Sequence, residues 1–328
     1  MRHHLMVSLF MTILFSRASR AFISSKTSRS VRKLPLDRII AVRLAQNRPS
    51  VDLISSEQST TVKRIHALLT KRKKRSDLGL TVVEGPKMTF DLLRNDETRQ
   101  LMQQAVVSVD KPEWTEELLD YGLLVCEGTP AVLAKCSDTI TPQGIVATIR
   151  IPAEPSRNDP PSKADNPLYL VLDGVSDPGN VGTLLRSCVA VGVAGVILMP
   201  GCCDVWNPKA VRSAMGSSFH VPILSVESIT EALDTLESWN VRDVFAATME
   251  CSDNTASVPH YDVSWTARPS AVIIGSEGEG LSDDVRRSVL AGDLRALHVP
   301  MEPAMESLNA AVCGSVILFE YHRQNNQI

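Results

Sequence analysis

The chain has 328 residues, of which 44% are hydrophobic and 22% are charged. This composition is typical of a soluble, globular protein, and the length allows two ordinary domains that each bury a core. The net charge of −3 is unevenly distributed, because the residues before Asp37 include seven basic side chains and no acidic one. Removing those seven charges leaves −10 for the remainder. This excludes a generally basic nucleic-acid-binding protein, so any contact with nucleic acid must come from a local patch.

Residues 1–36 have the composition of a targeting leader. An uncharged apolar run of eleven residues, Leu5 to Phe15, is followed by the acid-free stretch SRASRAFISSKTSRSVRK. Eleven residues are too few to cross a bilayer as a helix, so the run indicates a processed segment and not an anchor. The pattern resembles bipartite plastid leaders, with Ala21-Phe22 as the junction; a mitochondrial presequence and an untargeted tail are the alternatives. We therefore expect an organellar protein, in a plastid or a mitochondrion, with no membrane contact after the leader is removed.

The cysteines indicate a reducing compartment. Their number is odd, and they are scattered, with no Cys-x-x-Cys pair and no nearby histidine at ligand spacing. This pattern predicts reduced, mostly structural thiols, as in a mitochondrial matrix or plastid stroma, and excludes a secreted disulfide scaffold. The seven are Cys126, Cys136, Cys188, Cys202, Cys203, Cys251 and Cys313.

Residues 59–152 are predicted to form a small α/β domain. The segment STTVKRIHALLTKRKKR has apolar residues at helical spacing. The segment LTVVEGPKMTFDLL then predicts a strand, a Gly-Pro turn and a second helix, and GIVATIRIP predicts a closing strand. Five prolines between residues 151 and 167 disfavour helix and sheet, so residues 153–166 are predicted to link this domain to the next.

Residues 167–328 alternate apolar strands with helical segments. Continuous apolar strands joined by crossover helices predict a parallel sheet that is covered on both faces. Ligands of such sheets bind at the carboxyl ends of the strands, and three polar segments follow strands there: DGVSDPGNVG, GSEGEGLSDD and PMEPAMESLN. The six predicted strands are LYLVLDGV, GVILMP, VPILSV, DVFAATM, AVIIGSE and ALHVP.

The glycine-rich loops do not match the common phosphate-binding motifs. Neither Gly275 nor Gly278 starts a Gly-x-Gly-x-x-Gly motif, because Glu277 and Asp283 occupy positions that must be glycine. A P-loop is excluded because Gly179 is not followed by Lys and Ser or Thr. The loops therefore bind something else, or they are purely structural.

Each polar segment, taken alone, has a structural interpretation. SDPGN is typical of a turn, and Asn180 could cap the following helix. Glu277 could be an exposed turn acid. Ser307 could be the N-cap of the last helix, with Leu308 and Val312 in the core.

Taken together, three segments resemble the SpoU (TrmH-like) family of RNA ribose 2′-O-methyltransferases: LDGVSDPGNVGTLLRSCVAVGVAGVIL, IIGSEGEGLSDDV and VPMEPAMESLNAAVCGSVILFEY. The first domain, with VKRIHALLTKRKKRSDLGLTVVEGPKMTFDLL and ITPQGIVATI, resembles the RNA substrate-binding domain of that family. The resemblance implies an α/β protein whose C-terminal parallel-sheet domain is a trefoil-knot methyltransferase. It also implies S-adenosylmethionine as methyl donor, a homodimer that forms through the knotted domain, and no metal.

The same resemblance implies roles for particular residues. Arg186 matches the family's catalytic arginine, which is proposed to bind the target ribose and help remove its 2′-hydroxyl proton. Because a guanidinium stays protonated, the alternative role is to orient phosphate and stabilise alkoxide charge, and a plain surface arginine is the structural alternative. The other matched catalytic positions are Asn180, Glu277, Ser307 and Asn309, and the donor would be held by Gly275, Val299, Met301 and Leu308.

Two positions depart from the family pattern. Pro303 stands where the family usually has glycine, and Ala310 stands where it usually has valine. Because proline fixes φ near −65°, the third loop is expected to differ in shape, and donor affinity is the property in question.

The RNA-binding candidates form a basic run that could contact phosphates: Lys71, Arg72, Lys73, Lys74 and Arg75. A solvated helix end is the alternative interpretation of this run. The substrate-binding domain favours rRNA, with a guanosine in organellar large-subunit rRNA as the expected target. A tRNA 2′-O-methyltransferase and a non-catalytic RNA-binding or ribosome-assembly factor are the alternatives. The joint presence of Arg186, Glu277 and Asn309 favours catalysis.

Overall fold

The computed structural model describes residues 51–249 and 256–326. The predicted leader at residues 1–36, with its Ala21-Phe22 junction, and Cys251 lie outside these residues. The six cysteines that the structure describes are free thiols, as predicted. Within the described ranges, no helix is both long and apolar enough to cross a membrane.

The N-terminal part of the described chain is a mixed five-stranded sheet with helices on both faces. The strand order is β1-β4-β3-β5-β2, in which β1, β4 and β3 are parallel and β5 is antiparallel to both of its neighbours. Its elements are β1 (Asp52–Ile54), α1 (Thr60–Thr70), α2 (Arg72–Leu78), β2 (Leu80–Glu84), α3 (Pro86–Arg94), α4 (Asp96–Arg99), β3 (Met102–Ser108), α5 (Pro112–Asp120), β4 (Leu124–Gly128), α6 (Pro130–Lys135) and β5 (Ile145–Arg150).

The helix predicted to extend through the basic run is divided into α1 and α2. Ser59 caps α1 by accepting a hydrogen bond from the main-chain nitrogen of Val62, 3.2 Å away. Lys71 then takes an extended conformation between the two helices, and Gly79 ends α2 in the left-handed region at φ 60°. The break changes the direction of the basic run, so its side chains do not all face solvent.

The C-terminal part is a parallel seven-stranded sheet, as predicted. The strand order is β10-β12-β9-β11-β6-β7-β8, and every pairing is parallel. The six predicted strands are present, and β10 was not predicted because two residues are too short to show a pattern. The elements are β6 (Leu168–Asp173), α7 (Pro178–Val191), β7 (Gly195–Leu198), α8 (Pro208–Ser213), β8 (Ile223–Ser225), α9 (Ile229–Ser238), β9 (Asp243–Ala247), β10 (Val258–Pro259), β11 (Ser270–Gly275), α10 (Asp283–Ala291), β12 (Arg295–His298) and α11 (Ala310–Asn325).

The central strand β6 explains why this sheet is covered on both faces. All six of its residues are buried. Leu170 and Leu172 face a core that α7 and α11 cover, whereas Tyr169 and Val171 face a second core that α9 and α10 cover. An uninterrupted apolar strand is stable only between two such layers. The trefoil knot remains an expectation from the family resemblance.

The segment from residue 204 to residue 219 packs against the N-terminal sheet. Val211 and Phe219 belong to a buried cluster that otherwise consists of N-terminal residues. The hydroxyl of Thr81 donates to the main-chain oxygen of Trp206, 2.6 Å away. The predicted linker lies along α9, where the Trp239 indole nitrogen donates to the main-chain oxygen of Ser156 at 3.1 Å. The domain limits 59–152 and 167–328 stay predictions.

Candidate active site

The three polar segments meet at the carboxyl edge of the parallel sheet. β6 ends at Asp173 and β11, its hydrogen-bonded neighbour, ends at Gly275. β12 ends at His298, and only β9 separates it from β11. Because all these strands run in the same direction, the loops that follow them lie on one side of the sheet.

A line of hydrogen bonds joins the three loops. The side-chain nitrogen of Asn309 donates to Oδ1 of Asn180, 3.1 Å away. The side-chain nitrogen of Asn180 in turn donates to Oε1 of Glu277. Three predicted catalytic residues, separated by up to 129 positions in the chain, are therefore in direct contact.

Asn309 also starts the last helix. Its Oδ1 accepts hydrogen bonds from the main-chain nitrogens of Ala311 and Val312, at 3.0 and 3.2 Å. The N-cap of α11 is therefore Asn309 and not Ser307, which was the structural interpretation of that serine. Since capping uses the oxygen, the amide nitrogen of Asn309 is left to donate to Asn180.

A cavity of about 400 Å³ opens beside these loops, at the ends of β9, β11 and β12. This volume is in the range of small-molecule sites. All four predicted donor-binding residues line it: Gly275, Val299, Met301 and Leu308. The predicted catalytic residues Glu277 and Ser307 line it too. Their roles stay predictions, but the structure brings them to one cavity.

The lining of this donor cavity fits S-adenosylmethionine. Apolar side chains such as Val299 and Leu308 suit the faces of an adenine ring, and the carboxylates of Glu277 and Glu306 suit a ligand that carries a sulfonium and an ammonium charge. Arg286 also lines the cavity and donates to the main-chain oxygen of Glu279, 2.6 Å away. The combination suits an amphipathic ligand with localised charges.

Gly275 is required by the loop that follows it. A Cβ atom at Gly275 would lie 2.4 Å from the main-chain oxygen of Gly280. Ser276 and Gly280 exchange main-chain hydrogen bonds of 2.8 and 3.2 Å, which fold the loop back over the end of β11. A side chain there would open one wall of the donor cavity.

Arg186 lies on the exposed face of α7, six residues after Asn180. It does not line the donor cavity. Among the residues that the structure describes, none forms a hydrogen bond or ion pair with its guanidinium. The structure therefore places Arg186 on the helix that begins at the site, with its charge available to a ligand.

The third loop shows how the two departures from the family pattern are accommodated. Pro303 is exposed in a turn that is closed by a 2.9 Å hydrogen bond from the nitrogen of Met305 to the oxygen of Glu302. Pro303 does not line the donor cavity, whereas Ala310 is buried and does line it. An effect of Pro303 on donor affinity would therefore act through the shape of the loop.

Two further residues of the site were not assigned a role from the sequence. Asp173 is buried at the end of β6, and its Oδ2 accepts a 2.7 Å hydrogen bond from the nitrogen of Ser282. Burial raises the pKa of this carboxyl, and the hydrogen bonds from Ser282 oppose the rise. An acid that ends an otherwise apolar strand was the available signal.

His298, at the end of β12, lines the donor cavity. The hydroxyl of Ser257 donates to the main-chain oxygen of Thr248 and lies 2.9 Å from Nδ1 of His298. Because the hydroxyl has only one proton, Nδ1 is the donor in this contact. The contact with Ser257 uses one of the two ring nitrogens of His298.

The predicted RNA-binding run is divided by the fold. Lys71, Arg72, Lys73 and Lys74 are exposed. Arg75 is not part of that surface, because its side chain is 4% exposed and its Nη2 lies 2.6 Å from Oδ2 of Asp204. The expectation for Arg75 is corrected: it connects two parts of the protein and is not available to RNA phosphates.

The fold, the donor cavity and the linked loops define the class of S-adenosylmethionine-dependent RNA 2′-O-ribose methyltransferases. Residues 167–319 match the SpoU rRNA Methylase family, and residues 59–147 match the MRM3-like substrate binding domain. The chain belongs to the SpoU rRNA methylase family.

Individual relatives agree with this assignment. The chain is 30% identical over 297 residues to the mitochondrial rRNA methyltransferase 3A of Danio rerio, covering 80% of this chain and 68% of the relative. It is 27% identical over 266 residues to the 23S rRNA (guanosine(2553)-2′-O)-methyltransferase RlmP of Bacillus subtilis, covering 81% and 97%. The crystal structure of an AdoMet-bound rRNA methyltransferase from Sinorhizobium meliloti is similar with a TM-score of 0.69 at 26% identity, over 85% of this chain and 99% of that one.

Proposed function

We propose that this protein methylates the ribose 2′-hydroxyl of a guanosine in organellar large-subunit rRNA. The observation that carries the proposal is the contact of Asn309, Asn180 and Glu277 beside the donor cavity. The relatives support the substrate, since one is a mitochondrial rRNA methyltransferase and another acts on a guanosine of 23S rRNA. The predicted leader at residues 1–36 supports the organelle.

The chain's main contribution is alignment. When bound, S-adenosylmethionine supplies a methyl group whose bond to the positively charged sulfur breaks as its bond to the ribose oxygen forms, which leaves neutral S-adenosylhomocysteine, while the hydroxyl proton passes to solvent water. Gly275, Val299, Met301 and Leu308 hold the donor in the cavity. Holding two reactants in a reactive geometry can contribute about 7 to 11 kcal/mol to the barrier reduction. The hydrogen bonds between the three loops preserve that geometry.

The acceptor oxygen needs stabilisation as it loses its proton. Asn180, Asn309 and Ser307 supply polar groups at the edge of the cavity that can contact the ribose. Arg186 binds the adjacent phosphate and stabilises the developing negative charge, since a guanidinium donates two parallel hydrogen bonds and keeps its own protons. Glu277 holds the amide of Asn180 in its orientation.

RNA affinity comes from the exposed part of the basic run. Lys71, Arg72, Lys73 and Lys74 contact phosphates, and the strength of such contacts falls with salt concentration. The acidic remainder of the chain confines the RNA to this surface. Target choice then depends on RNA shape and on contacts to unpaired nucleotides.

The protein acts as a homodimer that forms through α7 and α11. Three apolar residues on one face of α11 are exposed in the single chain. They are Val312 at 49%, Val316 at 37% and Phe319 at 52%. Val189 of α7, a helix that packs against α11, is also exposed, at 36%. A second copy of the chain would cover this stripe. Sedimentation of the wild type and of Phe319→Glu tests this point: a monomeric wild type contradicts the dimer.

The test of function is methyl transfer. The chain lacking residues 1–36 is incubated with labelled S-adenosylmethionine and, in separate reactions, with organellar large-subunit rRNA, small-subunit rRNA and tRNA. Label in a 2′-O-methylguanosine of large-subunit rRNA supports the proposal, and label in tRNA alone redirects it to the tRNA enzyme. Donor binding by calorimetry separates the remaining case: a folded chain that binds neither S-adenosylmethionine nor S-adenosylhomocysteine is a non-catalytic RNA-binding factor.

A further inference from the structure

A second cavity, of about 410 Å³, lies between the two sheets and has no part in the reaction described above. On one side it is lined by the ends of β7 and β8, at Leu198 and Ser225. On the other side it is closed by N-terminal residues, among them Arg72 and Ser76. We call it the interdomain cavity.

The interdomain cavity lies next to the loop that carries Asn180. The order of the strands places β6 between β11, which borders the donor cavity, and β7, which borders the interdomain cavity. The nitrogen of Cys203, in the wall of the interdomain cavity, donates to the oxygen of Val175 at 3.0 Å. A Cβ atom on Gly201 would lie 3.2 Å from Cα of Gly174. The loop after β6 is therefore the partition between the two cavities.

The charges around the interdomain cavity are partly neutralised and partly free. Arg75 and Asp204 neutralise each other in the ion pair described above. Arg72, Glu154 and Glu227 are exposed at its border. Arg72 and Cys203 both line the cavity, and burial raises the pKa of the Cys203 thiol to about 12.

This set of groups selects the chemistry of a ligand. A bare phosphate would meet one cation and two carboxylates, so an anion alone is not a good fit. A ligand with one anionic group and a separate set of hydrogen-bond donors suits both the cation and the carboxylates, because ionised carboxylates only accept hydrogen bonds. A nucleotide has this composition, and its size suits a cavity of this volume.

We propose that the interdomain cavity binds an unpaired RNA nucleotide next to the one that is methylated, with its phosphate on Arg72 and its base edge on Glu227. Guanine is the preferred base, because N1–H and the N2 amino group present two adjacent donors to one carboxylate. The proposal rests on the proposed function and adds a specificity subsite to it. Unpaired bases are the usual source of sequence information in RNA recognition.

The walls of the interdomain cavity are held in a fixed relation to each other. The Arg75–Asp204 ion pair and the Thr81–Trp206 hydrogen bond both cross between the two sheets beside it. Because these contacts join protein groups to each other, the protein itself holds the walls in place, and the subsite is preformed. A preformed site binds its ligand at a lower cost in conformational entropy than a site that must be ordered.

The test compares two fluorescein-labelled oligoribonucleotides, UUUUGUUUU and UUUUUUUUU, by fluorescence anisotropy with the full chain and saturating S-adenosylhomocysteine. Glu227→Gln is expected to weaken binding of the guanosine-containing oligonucleotide about tenfold, the loss of a hydrogen bond to a charged group, and to leave the all-uridine one unchanged. Arg72→Gln is expected to weaken both. Lys135→Gln is the matched control, because it removes an exposed positive charge of the N-terminal part that neither lines the cavity nor belongs to the RNA-binding run.

Three results overturn the proposal: no binding of either oligonucleotide by the wild type, unchanged base preference in Glu227→Gln, or equal effects of Arg72→Gln and Lys135→Gln. Calorimetry of S-adenosylhomocysteine binding confirms that each variant is folded, and Glu154→Gln serves as a second carboxylate variant. The two proposals fail separately. If the wild type transfers methyl groups and the variants bind RNA normally, only the subsite is contradicted. If Glu227→Gln selectively loses binding of the guanosine-containing oligonucleotide but the wild type methylates no RNA, only the proposed function is contradicted.

Discussion

Ser213 of α8 donates a hydrogen bond from its hydroxyl to the main-chain oxygen of Gly179, 3.0 Å away, at the start of α7. The preceding residue, Arg212, reaches in the other direction and pairs with Asp138, in the loop between α6 and β5, at 2.5 Å. α8 therefore lies between the RNA-binding part of the chain and the helix that carries Asn180 and Arg186. We propose that α8 links RNA contact on one side to the reaction site on the other.

The close packing of α7 on α8 predicts that Gly182→Ala is destabilising. A Cβ atom at Gly182 would lie 2.5 Å from Cβ of Ser213 and 2.7 Å from the main-chain oxygen of Ala210. Separating the helices should cost about 1 to 3 kcal/mol. A thermal midpoint lowered by roughly 2 to 4 °C for each kcal/mol is expected in differential scanning calorimetry.

Gly278→Ala is the matched control for Gly182→Ala, because a Cβ atom at Gly278 meets nothing within 4 Å. Its thermal midpoint should equal that of the wild type. An unchanged midpoint for Gly182→Ala would show that α7 and α8 can separate without cost, and the proposed link through α8 would then fail.

The two functions of Asn309 can be separated by substitution. Asn309→Asp keeps an oxygen for the nitrogens of Ala311 and Val312, so the cap and the stability of α11 should be retained. It cannot donate to Asn180, so methyl transfer should fall by at least about tenfold, as for a lost hydrogen bond of 1.4 kcal/mol or more. Asn309→Ala should lose both, with a free energy of unfolding lower by about 1 kcal/mol.

The measurements are single-turnover methyl transfer and urea denaturation. If Asn309→Asp is as active as the wild type, the hydrogen bond to Asn180 has no role in the reaction. If it is as unstable as Asn309→Ala, the cap depends on the amide and not on the oxygen.

The sequence predicted the parts of the fold that follow from local patterns. β6, with Leu168 to Leu172 continuously apolar, could only be a buried strand, and the three loops had to meet once the sheet was parallel. β3 was missed because Gln103 and Gln104 interrupt its apolar run, although Gln104 is buried and bonded to Arg64 at 2.6 Å. The strand could not be predicted because nothing in the local sequence shows that Gln104 has a hydrogen-bond partner and can therefore be buried.

Arg75 shows the same limit more sharply. The four residues before it in the sequence are basic and exposed, and nothing local distinguishes it from them. Its partner Asp204 is 129 positions away, so its burial depends on the packing of two sheets. The line from Asn309 to Glu277 was predictable only as a joint occurrence of motifs, since each residue alone fits a turn or a cap.

Arg186→Ala should abolish methyl transfer and leave donor binding unchanged. Arg186 is exposed and does not line the donor cavity, so neither stability nor the affinity for S-adenosylmethionine depends on it. Arg186→Lys keeps the charge but loses the planar pair of donors, so an intermediate rate is expected. Calorimetry of donor binding and single-turnover transfer test this prediction, and equal loss of binding and transfer would contradict the assigned role.

The buried carboxyl of Asp173 should make stability depend on pH in a defined direction. Because burial raises its pKa in the folded state, the folded protein holds this proton at pH values where the unfolded chain has released it. The contribution of Asp173 to stability is therefore greatest below its ordinary pKa and falls as pH rises toward the raised value. Asp173→Asn keeps an acceptor for the nitrogen of Ser282 and removes this dependence.

Thermal unfolding of the wild type and Asp173→Asn between about pH 4 and pH 8 measures this contribution as a difference. Relative to the variant, the wild type should become less stable as pH rises. A constant difference across this range would mean that the carboxyl of Asp173 titrates alike in the folded and unfolded states.

Arg75→Gln and Lys74→Gln should behave oppositely, although the two residues are adjacent and both are basic. Arg75→Gln leaves Asp204 without its partner at a site where the two side chains are only 4% and 13% exposed, which should lower the free energy of unfolding by about 3 to 5 kcal/mol. Lys74 is exposed, so Lys74→Gln should leave stability within about 0.5 kcal/mol of the wild type and weaken RNA binding instead. Urea denaturation gives the first quantity, and RNA binding at two salt concentrations gives the second. Equal stability of the two variants would mean that the Arg75–Asp204 pair does not hold the sheets together, and the preformed interdomain cavity would lose its main support.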